Sequence, residues 1–176
     1  MGEFVADLKK IKERARNHME QGAVTAGYKA DRKAVIKVLN EVLATEMVCA
    51  LRYKRHYYMA EGINAEAVKT EFQQHATEEE QHADWVATRI TQLNGEPDFN
   101  PEGLATRSHS EYQEGDDLVS MLKEDLYAER IAIESYSSIV RWLGSDDPTT
   151  RKLIEEILKV EEEHADDLKN LLAKMS

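Results

Sequence analysis

The chain has 176 residues, 41% of them apolar and 32% charged, with only 3 prolines and 8 glycines. That is one domain with enough apolar surface for a core, and so few turn residues favour long helices over many short strands. A net charge of −11 excludes nucleic acid as the partner of the chain as a whole, since a phosphate backbone requires a basic surface. No apolar run approaches the roughly 18 residues of a membrane span, no signal-peptide core is visible, and the single cysteine, Cys49, excludes an internal disulfide. These features predict a soluble, cytoplasmic protein that does not enter a membrane.

Residues 1–30 read as an N-terminal extension, followed by one folded unit over 31–176. Phe4, Val5, Leu8 and Ile11 predict a short amphipathic helix within 4–19, and Gly22 and Gly27 then break the pattern. Up to residue 33, Lys9, Lys10, Lys12, Arg14, Arg16, Lys29, Arg32 and Lys33 face only Glu3, Asp7, Glu13, Glu20 and Asp31. This stretch therefore carries +3 and the remainder −14. Any DNA contact would have to come from this basic extension.

The first long helix is predicted from an N-cap at Asp31 to about Ala60, stopping at Gly62. Its inner stripe is Val35, Val38, Leu39, Val42, Leu43, Glu46, Cys49, Ala50 and Tyr53, with Glu46 a charge inside an apolar face. A second helix runs from Asn64 to Asn94-Gly95, with Val68, Phe72, His75, Glu79, His82, Val86 and Ile90 inward. So short a connection makes the two antiparallel neighbours. Residues 95–115, with Pro97, Pro101, Gly103 and Gly115, read as a long irregular crossover between two helix hairpins. The third helix is expected from Asp116 to Leu143. The fourth opens at Asp147-Pro148, an N-cap followed by proline in the first turn, and continues to about Ala173. The fold class is thus all-α, an antiparallel four-helix bundle with a long crossover between its second and third helices.

Glu79-Glu80-Gln81-His82-Ala83-Asp84 and Glu161-Glu162-Glu163-His164-Ala165-Asp166 are near copies. A Glu-x-x-His spacing puts carboxylate and imidazole on one helix face. One such pair from each of two helices, plus an inward Glu from each of two more, is the ligand set of a carboxylate-bridged di-metal centre. Glu46 and Glu129 supply the inward carboxylates, 33 and 32 positions before Glu79 and Glu161, and Tyr53 and Tyr136 follow them by seven residues. The hairpins therefore read as a divergent duplication. Four buried carboxylates would be forced to protonate without a partner; two divalent cations would cancel their charge. Mixed imidazole and carboxylate ligands suit iron, manganese or zinc better than calcium or magnesium.

A single Glu-x-x-His is more often a solvated helix face, and the runs Glu78–Glu80 and Glu161–Glu163 could be such faces. The two matched copies, each with its upstream Glu, favour metal. Tyr53 and Tyr136 are either core aromatics with hydroxyls on ligand carboxylates or redox-active groups. Asp125 either accepts the Nδ1–H of a ligand histidine or faces water. His18, His56, His75 and His109 read as surface or packing residues, and Cys49 as core.

Across residues 31–172 the chain resembles the ferritin-like superfamily, bacterioferritins most closely. The resemblance is carried by Leu43-Ala44-Thr45-Glu46 through Tyr53, Glu79-x-x-His82-Ala83-Asp84, Met121 through Glu129, and Glu161-x-x-His164. It implies two iron ions per subunit, with zinc or manganese as substitutes. Glu46 and His82 would be terminal ligands of one ion, Glu129 and His164 of the other, and Glu79 and Glu161 would bridge. The implied activity is ferroxidase, oxidation of Fe(II) by O2 or H2O2, with Fe(III) stored in a hollow homo-oligomer. Bacterioferritins carry a haem-ligating Met after the second-helix Glu; Glu80 stands there, so no haem is expected. Twelve residues follow His164, too few for the fifth helix of 24-subunit shells, which favours a twelve-subunit mini-ferritin. Some of those carry a cysteine pair near the site, which is absent here. The starvation-induced, Dps-like mini-ferritins build their iron site between subunits, without two Glu-x-x-His motifs.

Three other readings compete: a rubrerythrin-like peroxidase without storage (although rubredoxin-type cysteine pairs are missing), a Dps-like DNA-protecting mini-ferritin using the basic extension, and a metal-free interaction bundle.

Overall fold

The structure, a computed structural model, describes residues 5–175. Four long helices form the bundle: α2 (Arg32–Met59), α3 (Ala65–Gln92), α5 (Leu118–Leu143) and α6 (Pro148–Lys174); the short helices α1 (Leu8–Arg16) and α4 (Pro101–Arg107) lie outside it. No strand occurs among the described residues. The ends of the long helices follow from local chemistry. The Asp31 carboxylate accepts from the Lys33 and Ala34 amides. Asp117 and Ser120 form a reciprocal capping box on α5. Asp147 caps α6 through the Thr150 amide, with Pro148 in the first turn.

α2 packs along α3 and α5 along α6, and the hairpins face each other through α2–α5 and α3–α6. Glu46 meets Tyr136 while Tyr53 meets Glu129, so α2 and α5 run antiparallel. Two apolar clusters fill the interior. One gathers Leu39, Leu43, Val86, Ile90, Ile154 and Ile157, the other Phe72, Leu122 and Leu168. Glu46 on α2, Glu79 and His82 on α3, Glu129 on α5, and Glu161 and His164 on α6 lie between the segments of their helices that build these clusters. Each fully buried Leu, Ile or Phe contributes about 1.5–3 kcal/mol, which is what lets the fold tolerate a charged middle.

The crossover is more ordered than its sequence suggests. Asn100 accepts from the Glu102 amide ahead of Pro101, the same cap-then-proline signal that opens α6, and it starts α4. Leu104 then seats α4 against Ala44 and Val48 of α2. The segment climbs α2 rung by rung: Asp98 N–H to Asn40 Oδ1 (2.7 Å), His109 N–H to Thr45 Oγ1 (2.9 Å), Arg52 to Glu111 O (3.2 Å) and Arg55 to Glu114 O (2.9 Å). The crossover delivers the chain to the far end of α2, so α5 must return antiparallel to it.

The helix expected within 4–19 is α1, with a 3-10 turn at Met19–Gln21 after it; the part of that expectation on residue 4 lies outside the described residues. α1 buries no residue, leaving Leu8 and Ile11 exposed. The rest of the extension is tied down. Val24 enters the core, the Tyr28 hydroxyl donates to Asp147 (2.8 Å), and Asn94 donates to Gln21 O (3.1 Å).

Candidate metal centre

Glu46 on α2, Glu79 and His82 on α3, Glu129 on α5, and Glu161 and His164 on α6 converge at mid-bundle, each at most 2% exposed. They fall into two quartets, Glu46–Glu79–His82–Glu161 and Glu79–Glu129–Glu161–His164, within each of which one ligand atom per residue lies within 4.8 Å of the others. Glu79 and Glu161 belong to both. His82 Nδ1 sits 3.0 Å from Glu46 Oε2 and 3.1 Å from Glu161 Oε1, though only the first contact has hydrogen-bond geometry. His164 Nδ1 lies 3.4 Å from Glu79 Oε1 and 3.6 Å from Glu161 Oε2.

Five polar atoms of this set are buried without a hydrogen-bond partner: Glu79 Oε1, Glu129 Oε2, both Glu161 oxygens and His164 Nδ1. Native interiors leave few such atoms, each costing about 1–3 kcal/mol. The donor set, four carboxylates and two imidazoles, fits two first-row divalent cations, which would occupy these orphaned lone pairs and balance four negative charges with four positive.

Protons take up that charge in part. Burial, then the charge of Glu161, pushes the Glu79 and Glu129 carboxyls well above the usual range. Burial would also raise Glu161, but the His164 and His82 rings beside it hold it below that range. Burial would depress His82, yet the Glu161 and Glu46 carboxylates overcome it and hold the ring up, at about 10. His164 is raised in the same way against burial, by Glu161 and Glu78.

Both tyrosines are fully buried, and their hydroxyls cross between the hairpins: Tyr53 donates to Glu129 and Tyr136 to Glu46. Each half of the duplication thus orients the lone Glu of the other. This is the geometry of a core aromatic with its hydroxyl on a candidate ligand carboxylate.

Asp125 does neither of the things expected of it. It is fully buried, accepting from Arg52 Nε (2.8 Å) and pairing with His56 Nδ1 (2.8 Å), while His56 Nε2 reaches Glu114 O (2.9 Å). It ties α2, α5 and the crossover together because a fully buried guanidinium on α2 requires a counter-charge. The carboxylate that holds a site histidine from outside is Glu78, whose Oε2 lies 2.8 Å from His164 Nε2. Position 78 precedes Glu79 in an acidic run, and only its place on the α3–α6 seam distinguishes it from a solvated neighbour.

His56 and His75 are buried, packing rather than surface residues, and His109 is half-buried. Cys49 is core, beside Ser110 and Arg52, with its thiol pushed up to about 12 by burial. Glu80 is a surface residue paired with Lys54.

Residues 36–176 match the ferritin-like domain model of the ferritin family. A bacterioferritin of Desulfovibrio desulfuricans is 29% identical over 83% of this chain and 79% of its own length. A nutrient stress-induced DNA-binding protein of a Nostoc species is 32% identical over 81% of this chain and 79% of its own. Among solved structures, a dodecameric thioferritin described as the bacterioferritin-related protein of Bacteroides fragilis superposes with a TM-score of 0.80. It is 34% identical, covering 84% of this chain and 89% of that one.

Proposed function

This chain belongs to the ferritin-like family, and within it we propose a ferroxidase that stores iron in a homo-oligomeric cage, using a di-metal centre inside each subunit. The observation that carries the proposal is the set of five buried, unpartnered polar atoms shared by two quartets of side chains from four helices. Glu46, Glu79, His82, Glu129, Glu161 and His164 would hold the ions, with Glu79 and Glu161, which belong to both quartets, shared between them. When bound, the iron pair supplies two electrons, taken from two Fe(II) and passed to O2 or H2O2. Tyr136 and Tyr53 keep Glu46 and Glu129 turned toward the pair, and Glu78 fixes the ring of His164 through its outer nitrogen. The apolar clusters on either side exclude bulk water and hold the six donors in place before metal arrives.

Stopped-flow oxidation of Fe(II) tests this. The fast initial phase should fall at least tenfold in Glu46→Ala and in His164→Ala, with the oligomer intact. An unchanged initial rate in both variants would overturn the proposal. For the cage, the dodecameric Bacteroides fragilis relative is the support, and a native mass of about twelve 20.1 kDa chains is expected.

One observation favours a second activity, protection of DNA. Lys9, Lys10, Lys12, Arg14 and Arg16 all lie on α1, a helix that buries nothing, and the Nostoc relative is named a DNA-binding protein. A gel shift that weakens with salt and disappears when residues 1–30 are deleted would support it; no shift at low salt would remove it.

A further inference from the structure

His75 is one turn of α3 before Glu79 but belongs to neither quartet. It is 1% exposed, and neither ring nitrogen has a hydrogen-bond partner. Its ring stacks on His164 at 3.9 Å between centroids, 22° from parallel, and meets Tyr53 edge-on. Packing accounts for the two faces of the ring. It leaves unexplained a buried imidazole whose N–H and lone pair both go unmet, an arrangement native interiors avoid.

Nε2 is aimed at two carboxylates. Glu71 Oε2, one turn earlier on α3, is 3.8 Å away, and Asp167 Oδ2, across the seam on α6, is 4.0 Å away. The three ligand atoms lie within 4.8 Å of one another. With metal–ligand bonds of about 2.0–2.2 Å, atoms at such separations bracket a single ion. The Glu71 and Asp167 side chains are 34% and 54% exposed, so water can complete the shell and an ion can arrive from solvent.

We propose that Glu71, His75 and Asp167 form a third metal site, for a first-row divalent cation, at the surface of the α3–α6 seam. It shares no residue with the paired centre and does not depend on it. One imidazole and two carboxylates suit Zn(II), Fe(II) or Mn(II). The stacked rings of His75 and His164 make the two sites neighbours, so a cation held at the surface waits beside the buried pair.

Crystals of the full-length protein soaked in Zn(II), with anomalous scattering collected at the zinc edge, test this. A peak within bonding distance of His75 Nε2 is expected, separate from any peaks among the six central residues. His75→Phe keeps a ring to stack on His164 but removes the nitrogens. Glu71→Gln with Asp167→Asn changes only partly exposed side chains. Each variant should lose the outer peak and keep the central ones. No outer peak at saturating Zn(II), or an outer peak that survives both variants, would overturn the proposal. Central peaks alone would defeat this site and leave the paired centre standing; an outer peak alone would defeat the paired centre and support this site.

Discussion

Tyr53 and Tyr136 sit seven residues after Glu46 and Glu129 in sequence, yet each hydroxyl serves the other hairpin's carboxylate. Removing one hydroxyl leaves a buried carboxylate short of a donor, a loss of about 1–3 kcal/mol. Tyr136→Phe should therefore lower the melting temperature of metal-free protein clearly, and that of Zn(II)-loaded protein less, since a cation then satisfies Glu46. Thermal melts with and without Zn(II) read the difference; equal losses would mean that no cation reaches the Glu46 carboxylate.

Titration at the same site has a definite sign. His82, held up at about 10, keeps a proton that an unfolded histidine releases near pH 6.5. Its contribution to stability is complete below about pH 6.5 and is lost as pH climbs through 10. Glu79 and Glu129, raised by burial, act the same way, their contribution fading as pH rises past the unfolded carboxylate value. Glu161, held low, does the opposite and loses its contribution only as pH falls below the usual carboxylate range. Metal-free protein should then melt at falling temperatures from about pH 6.5 to 10, and Zn(II)-loaded protein should show a flatter profile because metal replaces those protons. Parallel profiles would contradict this account.

At the scale of elements, the long helices were legible because their signals are local: an apolar stripe, an aspartate cap, a proline in the first turn. The convergence of Glu46, Glu79, His82, Glu129, Glu161 and His164 was legible too, since a duplicated spacing on antiparallel helices places equivalent residues at equal depth. Partnerships across helices were not. Periodicity gives the face a residue occupies but not what the neighbouring helix sets against it, so the Glu78–Glu80 run can read as a solvated face, and Asp125 reads either as an outer partner of the centre or as a residue facing water. α4 was missed for a different reason. Its Asn100-Pro101 start carries the same chemistry as Asp147-Pro148, but only seven helical residues follow, too few to show a period. The Arg52–Asp125–His56 group joins α2, α5 and the crossover, and it sets the cost of losing them together. Asp125→Ala strands a fully buried guanidinium and should destabilise the fold by about 3–5 kcal/mol in denaturant titrations. A loss under about 1 kcal/mol would show that Arg52 finds water or another carboxylate.

At the scale of the molecule, two opposing forces bear on assembly. Each chain carries −11, so copies repel one another at long range, and salt shortens the reach of that repulsion to about 10 Å at 0.1 M. Against it, the chain exposes large apolar side chains, among them Tyr58, Ile63, Tyr127 and Trp142. Burying such residues between subunits yields stabilisation that salt does not weaken. If apolar contacts hold the proposed cage, its native mass should persist from 50 mM to 1 M NaCl and the assembly should be more resistant to dilution at the higher salt. A cage held by ion pairs would fall apart along the same series. Trp142 is 52% exposed near the end of α5, away from the six central residues. Trp142→Arg should therefore shift sedimentation toward smaller species while leaving the helical content of the chain unchanged. Full assembly by this variant would place the contacts elsewhere on the surface, and loss of helical content would show that Trp142 serves the fold of the single chain instead.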